Sequence, residues 1–181
     1  TRTGYTFLGW STSSSASSAT YTSGETYNFS ESDTLYAVWK INTYKVDVVV
    51  NNGTTDSSTK TVNYNTNATF TVNPSTGYHY TSVSCTNNQK ASMSGTTLTV
   101  SNVTNDTTCT VSNTANTYTV VYNSNGGSGT TNSSTHTYGV SKALTKNGYS
   151  KSGYVFAGWS TSSTSSTVTY TDGQSVTNLT S

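Results

Sequence analysis

The sequence has little charge and few aliphatic side chains. Its 181 residues include eight Lys or Arg and seven Asp or Glu, which gives a formal net charge of +1. Such a chain lacks the positive field with which proteins attract nucleic acid or an anionic membrane surface. Val, Leu, Phe and Ile together supply only 27 residues, fewer than is usual for a globular domain. Disordered chains, however, combine few apolar residues with high net charge, so we expect this chain to fold.

Long apolar runs are also missing. No stretch approaches the roughly 20 apolar residues that a membrane-spanning helix needs, so we expect no membrane span in these residues. The first residues, Thr1-Arg2-Thr3-Gly4, do not begin a signal peptide, which would place a charged region before an apolar one.

Small polar residues and aromatic residues are abundant instead. Ser, Thr and Asn account for 92 of the 181 positions, and there are 14 Tyr and 3 Trp. Aromatic side chains bury the most apolar surface per residue, so we expect small cores made of aromatic residues and valine.

The apolar residues alternate with polar ones, which is typical of half-buried strands. The clearest cases are Tyr44, Val46, Val48 and Val50, then Phe70 with Val72, and Leu98 with Val100. Asn-Gly pairs at 52–53, 125–126 and 147–148 predict turns with positive φ. No 12-residue stretch has an amphipathic helical pattern, and the best short-helix candidate is 140–146. The sequence therefore predicts a mostly β protein.

The two ends of the chain repeat each other. Residues 2–13 read RTGYTFLGWSTS and residues 151–162 read KSGYVFAGWSTS, and the match continues without a gap to Gly24 and Gly173. A weaker repeat, with an offset near 74, relates the segment that starts at Tyr44 to the one that starts at Tyr118. These offsets predict three modules: the second half of one (1–42), a complete one (43–115) and the first part of a third (116–181). Because a repeat buries its apolar face only when complete, we expect the chain to be an excerpt from a longer array.

The repeated residues resemble a known family. The pattern from Tyr118 through Gly126-Gly127, His136-Thr-Tyr138 and Gly153-Tyr154-Val-Phe156-Ala-Gly158-Trp159 resembles the Listeria–Bacteroides repeat, also called the internalin B-type repeat. Gly4-Tyr5-Thr-Phe7-Leu-Gly9-Trp10 and the closing Leu35-Tyr36-Ala37-Val38-Trp39-Lys40 resemble the second half of that repeat. The middle module is similar to divergent members, although it lacks both signatures.

This resemblance implies a fold, a location and a set of partners. It implies tandem β-grasp-like modules of about 74 residues, in an elongated array, within secreted or surface-anchored bacterial proteins. It implies no catalytic residues and no cofactor. The expected partners are neighbouring repeats of the same longer chain, and self-association into fibres and binding to a glycan or a host surface protein stay open.

Cys85 and Cys109 are the only cysteines, and both lie in the middle module. In a secreted β module such a pair is typical of one disulfide, although two free buried thiols stay an alternative. Neither cysteine belongs to a Cys-x-x-Cys pair or has a nearby His, so we expect no metal site.

The remaining polar residues do not suggest catalysis. His136 was aligned with Lys60 of the weaker repeat, which predicts a solvent-facing position, and no Gly-x-Ser-x-Gly motif accompanies either histidine. Glu25 aligns with Gln174, so the repeat does not need an acid there. Gly9 and Gly158 precede Trp10 and Trp159, which favours tryptophans in the core over a sugar-stacking face.

The favoured function is a structural spacer or stalk, probably—by the family resemblance—within an adhesin. A glycan- or host-protein-binding module and a subunit of an extracellular filament are the alternatives, and we do not expect an enzyme.

Overall fold

The computed structural model describes residues 1–179, and strands joined by turns make up most of it. Sixteen strands and one 3-10 turn lie in this part of the chain, which contains no α-helix. The prediction of a mostly β protein is therefore confirmed. The best helix candidate, 140–146, instead contains the two-residue strand Lys142–Ala143. The finer assignment to β-grasp-like modules stays a prediction.

The chain divides into two compact units. Unit 1 comprises Thr1–Asn73 and Thr81–Ser112, and unit 2 comprises Pro74–Tyr80 and the residues from Asn113 onward. The predicted modules 1–42, 43–115 and 116–181 are a division by sequence repeat, and they stay a prediction beside this division by contact.

The first ten strands begin in unit 1 or in the short segment Pro74–Tyr80. They are β1 (Tyr5–Ser11), β2 (Tyr36–Ile41), β3 (Thr43–Asn51), β4 (Gly53–Thr55), β5 (Thr59–Asn63), β6 (Thr66–Pro74), β7 (Tyr78–Cys85), β8 (Ala91–Ser94), β9 (Thr97–Val103) and β10 (Thr107–Ala115). The 3-10 turn is Thr86–Asn88.

These strands form one pair and two four-stranded sheets. Strand β1 pairs with β2 in antiparallel orientation. One sheet has the order β5-β3-β10-β7 and the other β4-β6-β9-β8. In the first sheet β10 runs parallel to β3, and β5 runs antiparallel to β3.

The core of unit 1 comes from alternating positions of both four-stranded sheets. Strands β3 and β10 bury Val46, Val48, Cys109 and Val111, while β6 and β9 bury Ala68, Phe70, Val72, Leu98, Val100 and Val103. Alternate burial on two sheets is typical of sheets packed face to face. The period-two pattern read from the sequence therefore locates this core correctly.

Unit 2 contains shorter strands. They are β11 (Thr117–Val120), β12 (Ser128–Gly129), β13 (Ser134–Thr137), β14 (Lys142–Ala143), β15 (Tyr149–Ser150) and β16 (Ser175–Val176). They pair as β11 with β13, β12 with β15 and β14 with β16, all antiparallel. The small core contains Tyr122, Leu144 and Val176, and Trp159 and Tyr170 pack against it.

Two of the three Asn-Gly pairs form the predicted turns. Asn52 has a φ of 53°, and Asn125 and Gly126 have φ values of 46° and 84°. The third prediction is wrong, because neither Asn147 nor Gly148 has a positive φ. Gly148 is needed for another reason: a Cβ there would lie 2.1 Å from the carbonyl oxygen of Thr130.

Residues 1–179 include no helix with the length and hydrophobicity needed to cross a bilayer.

Candidate functional site

The Gly-Trp motif has the same backbone geometry in both of its copies. The Trp10 amide donates to the carbonyl oxygen of Tyr21 at 2.8 Å, and the Trp159 amide donates to that of Tyr170 at 2.8 Å. The return bonds, from the Tyr21 and Tyr170 amides to the two tryptophan carbonyls, measure 3.0 and 3.1 Å. Each motif therefore begins a tight bridge to a tyrosine eleven residues later.

The two glycines are required by this bridge. Gly9 has a φ of 138° and Gly158 a φ of 149°. A Cβ would lie 2.2 Å from the Tyr21 carbonyl oxygen at Gly9, and 2.7 Å from the Tyr170 carbonyl oxygen at Gly158. The close approach is therefore between two backbones, whereas the sequence suggested an approach of backbone to the tryptophan ring.

The loop after each bridge is closed by one side-chain acceptor. Glu25 accepts a hydrogen bond from the Thr22 amide at 2.7 Å. Gln174 accepts the equivalent bond from the Thr171 amide at 2.9 Å. Both side chains use an oxygen as acceptor, and this explains why an acid and an amide can occupy the same repeat position.

The aromatic residues of the motif pack against one another. In unit 1, Phe7 lies 5.2 Å from Trp10 and 5.2 Å from Trp39 of strand β2, in edge-to-face contacts. In unit 2, Phe156 lies 4.8 Å from Trp159. Trp159 also packs on Tyr122 at 4.7 Å, so it belongs to the core of unit 2.

Trp10 is more exposed, at 37%. Tyr122 lies on the segment that follows β11, and the offset of 149 gives no counterpart of that segment among residues 1–42. The core role suggested for the tryptophans therefore describes Trp159 better than Trp10.

A second recurrent structure was not anticipated from the sequence. In unit 1, the Asn42 amide donates to the Gly4 carbonyl oxygen at 2.9 Å, and the Tyr64 amide donates to the Asn42 carbonyl oxygen at 2.8 Å. The Tyr64 ring covers Gly4, where a Cβ would lie 2.0 Å from Cδ1 of the ring. We call this set of three residues the first joint.

Unit 2 contains the same arrangement. The Asn116 amide donates to the Gly77 carbonyl oxygen at 2.8 Å, and the Tyr138 amide donates to the Asn116 carbonyl oxygen at 2.9 Å. The Tyr138 ring covers Gly77, where a Cβ would lie 2.3 Å from Cδ1. This set is the second joint. Its three residues follow those of the first joint by 73 or 74 positions.

A turn with the same conformation precedes both joints and also occurs near the end of the chain. Gly4, Gly77 and Gly153 have φ values of 76°, 79° and 78°. The following tyrosine amide bonds back three residues in each case, at 3.1, 3.0 and 3.1 Å. Positive φ at the third position of such a turn favours glycine. At Gly153, however, nothing lies within 4 Å of a Cβ position.

The structure thus brings the predicted motif residues together in two groups. Gly4, Tyr5, Phe7, Gly9 and Trp10 lie on or beside β1, where β2 supplies Tyr36 and Trp39. The second group, Gly153, Tyr154, Phe156, Gly158 and Trp159, lies in unit 2. Sequence reasoning missed Asn42, Tyr64, Gly77, Asn116 and Tyr138. A signal was present, because Thr-Gly-Tyr occurs at 3–5 and 76–78 and Asn-Thr-Tyr at 42–44 and 116–118.

The two cysteines are joined. Cys85 at the end of β7 and Cys109 in β10 form a disulfide, and Cys109 is fully buried. The alternative of two free thiols does not hold in this structure.

The prediction that His136 faces solvent is wrong. His136 is only 2% exposed, and its Nε2 lies 2.7 Å from Ser134 Oγ. Tyr118 pairs with His136 as Tyr44 pairs with Val62, so the true counterpart of His136 is the half-buried Val62 and not Lys60. Burial, with a smaller contribution from the charge of Lys142, lowers the pKa of His136 below its ordinary value.

The other perturbed groups are exposed and make local contacts. A hydrogen bond to Asp33 raises the pKa of Tyr27 to about 12. Hydrogen bonds from Thr59 and Lys45 lower the pKa of Asp47, and those from Lys60 and the Thr71 amide lower the pKa of Asp56. Among residues 1–179, no three His, Cys, Asp or Glu side chains are grouped as a metal would need.

Comparison with known proteins agrees with the repeated geometry. No curated protein and no solved structure matches the chain. The Listeria-Bacteroides repeat domain matches residues 1–38 and 118–180, which include both copies of the Gly-Trp motif. The chain therefore belongs to the Listeria-Bacteroides repeat domain family.

Proposed function

We propose that this chain is a structural spacer, part of the stalk of a secreted or surface-anchored bacterial protein. The observation that carries the proposal is the recurrence of the joint, with the same two backbone bonds and the same ring-on-glycine contact after 73 or 74 residues. A spacer needs a connection that repeats identically, because each added module must leave its neighbour in a defined orientation.

The joint suits this role because it fixes the asparagine on both sides. In the first joint the Asn42 amide bonds to Gly4, while its carbonyl oxygen accepts from Tyr64. A residue whose amide and carbonyl groups are both bonded cannot act as a free hinge without losing those bonds. The tyrosine ring over the glycine adds packing that a larger residue would prevent.

The chemistry of the chain supports an extracellular setting. A buried disulfide persists in oxidising surroundings and is rare in the cytosol. A surface of Ser, Thr and Asn with a net charge of +1 offers little attraction to nucleic acid. We propose no catalytic role, since His79 bonds to Asn116 and His136 bonds to Ser134.

A binding function is the second candidate, and one feature favours it. Tyr154 and Val155 are 71% and 93% exposed, and they border a groove in unit 2. Exposed apolar side chains beside a groove are typical of contact sites for other molecules. An adhesin could use such a site toward a glycan or a host protein, and a filament could use it between subunits.

The spacer proposal can be tested by joining copies of the chain in series. Small-angle X-ray scattering on one, two and three copies should show a maximum dimension that rises by an equal increment with each copy. Tyr64→Ala combined with Tyr138→Ala should shorten and broaden the distance distribution, because both joints lose their ring. Tyr154→Ala, an exposed tyrosine outside both joints, is the matched control and should leave the increments unchanged.

A maximum dimension that stays constant as copies are added would contradict the proposal. So would joint variants whose distance distributions equal that of the Tyr154→Ala control.

A further inference from the structure

We propose that the groove of unit 2 is a two-sided slot for one more β-strand, and that its occupant is an extended segment with the residue pattern of Thr34–Ile41. The groove has a volume of about 1010 Å³. It is bordered on one side by residues 118–124 and on the other by residues 154–160. The inference goes beyond the spacer role and stands on geometry within the chain.

Both borders of the groove have unused strand edges. Strand β11 pairs only with β13, so its second edge has no strand partner among residues 1–179. Residues 154–158 belong to no strand, and the single bridge in this stretch joins Trp159 to Tyr170. Two strand edges that face a common groove can both bond to one inserted segment.

The four-stranded sheet of β5, β3, β10 and β7 shows the same slot when it is filled. Strand β3 pairs with β5 just as β11 pairs with β13, with Tyr44 opposite Val62 and Tyr118 opposite His136. Strand β7 begins with the Gly-Tyr turn that also begins residues 153–154. In that sheet β10 lies between β3 and β7. The groove of unit 2 is the position that β10 occupies there.

The pair of β1 and β2 identifies the residues that fit. Strand β1 is the repeat copy of residues 154–160, and it is covered by β2. In that pair Phe7 contacts Trp39, and Val38 of β2 is only 3% exposed. Without such a cover Phe156, the copy of Phe7, remains 39% exposed.

The offset of 149 also predicts the register of the occupant. Phe7 lies opposite Trp39, and Trp10 lies opposite Ala37. The occupant's tryptophan should therefore lie opposite Phe156 and its alanine opposite Trp159. Main-chain bonds to both borders would supply affinity, and the tryptophan on Phe156 would fix the register.

The test uses the full chain and a synthetic peptide, DTLYAVWKIN, which copies residues 33–42 and carries a fluorescein label. Fluorescence anisotropy should show saturable 1:1 binding. A peptide with proline in place of the central valine should bind at least about tenfold more weakly, because proline cannot donate a backbone hydrogen bond. Amide exchange should slow at residues 154–160 on addition of the unlabelled peptide.

Two chain variants form a matched pair. Phe156→Ala should weaken binding by about tenfold, because the occupant's tryptophan loses its aromatic partner. Phe7→Ala, at the same repeat position in the filled pair, should leave the affinity unchanged. Circular dichroism establishes that both variants keep their β-structure.

Four results would overturn the slot: no saturation up to about 1 mM peptide, equal binding of the proline peptide, unchanged affinity in Phe156→Ala, or a change in Phe7→Ala that indicates displacement of β2. Dimerisation of the chain in sedimentation experiments, reversed by the peptide, would assign the groove to a second copy and also contradict the proposal. The spacer function is measured by length, so these failures are distinguishable from its own.

Discussion

The ring of Tyr138 lies directly over the α-carbon of Gly77, so that a Cβ at Gly77 would be 2.3 Å from the ring atom Cδ1. The two residues are 61 positions apart, and Asn116 links them through its amide and carbonyl groups. The same contact joins Tyr64 to Gly4. Gly153 has the same turn but no ring, which provides a natural comparison.

Gly77→Ala should lower the free energy of unfolding by about 2 kcal/mol more than Gly153→Ala does. Both substitutions place a side chain at nearly the same positive φ, which alone costs about 1 kcal/mol. Only at Gly77 must the tyrosine ring also move away. Urea unfolding followed by tyrosine and tryptophan fluorescence measures both values.

Gly4→Ala should behave like Gly77→Ala, because its Cβ would lie 2.0 Å from the Tyr64 ring. Equal losses at all three glycines would show that positive φ, and not the ring contact, explains their presence.

Loss of the disulfide should destabilise the chain by about 3 kcal/mol, since the unfolded chain regains the freedom of a loop closed by residues 24 positions apart. Thermal unfolding of the chain with and without a reducing agent measures this effect. The control is the double variant Cys85→Ser and Cys109→Ser, whose unfolding temperature should not respond to the reducing agent. A response in that variant would place the effect elsewhere than at the disulfide.

The stability of unit 2 should fall as the pH drops below about 6.5. The folded structure keeps the pKa of His136 below its ordinary value, because the ring is buried and Nδ1 has no hydrogen-bond partner. Above its unfolded pKa the histidine is neutral in both states and costs nothing. As the pH falls from there toward the folded pKa, the unfolded state binds the proton first and becomes favoured.

The measurement is urea unfolding between pH 8 and pH 5, in the parent chain and in His136→Asn, which cannot titrate. The difference in slope between the two isolates the histidine, since the carboxylates titrate alike in both. Identical slopes would contradict a depressed pKa in the folded state.

Glu25→Gln should leave stability unchanged within about 0.5 kcal/mol, because Gln174 makes the same bond to a threonine amide in the other repeat. Glu25→Ala should instead release the Thr22 amide, which the acid now binds at 2.7 Å. Hydrogen exchange at Thr22 reports this directly. Faster exchange in Glu25→Gln than in the parent would show that the negative charge is needed there.

Much of the fold followed from local patterns. The alternation of Val46 and Val48, and of Phe70 and Val72, indicated strands whose alternate side chains are buried, and the structure buries all four. The Asn-Gly turns at 52–53 and 125–126 also followed from residue type, since few other residues adopt a positive φ readily. The 147–148 prediction failed because the close approach of Thr130 to Gly148 comes from elsewhere in the chain.

The sequence by itself determined the β character, the repeat, the family and the pairing of the only two cysteines. These depend on periods, spacings and counts that are present in the chain before it folds. Tertiary structure decided which side chains meet. Tyr64 covers Gly4, and His136 is buried opposite Tyr118, only because strand pairing brings them together in a particular register. A shift of register by one residue turns every side chain to the other face, so such contacts cannot be read from a local pattern.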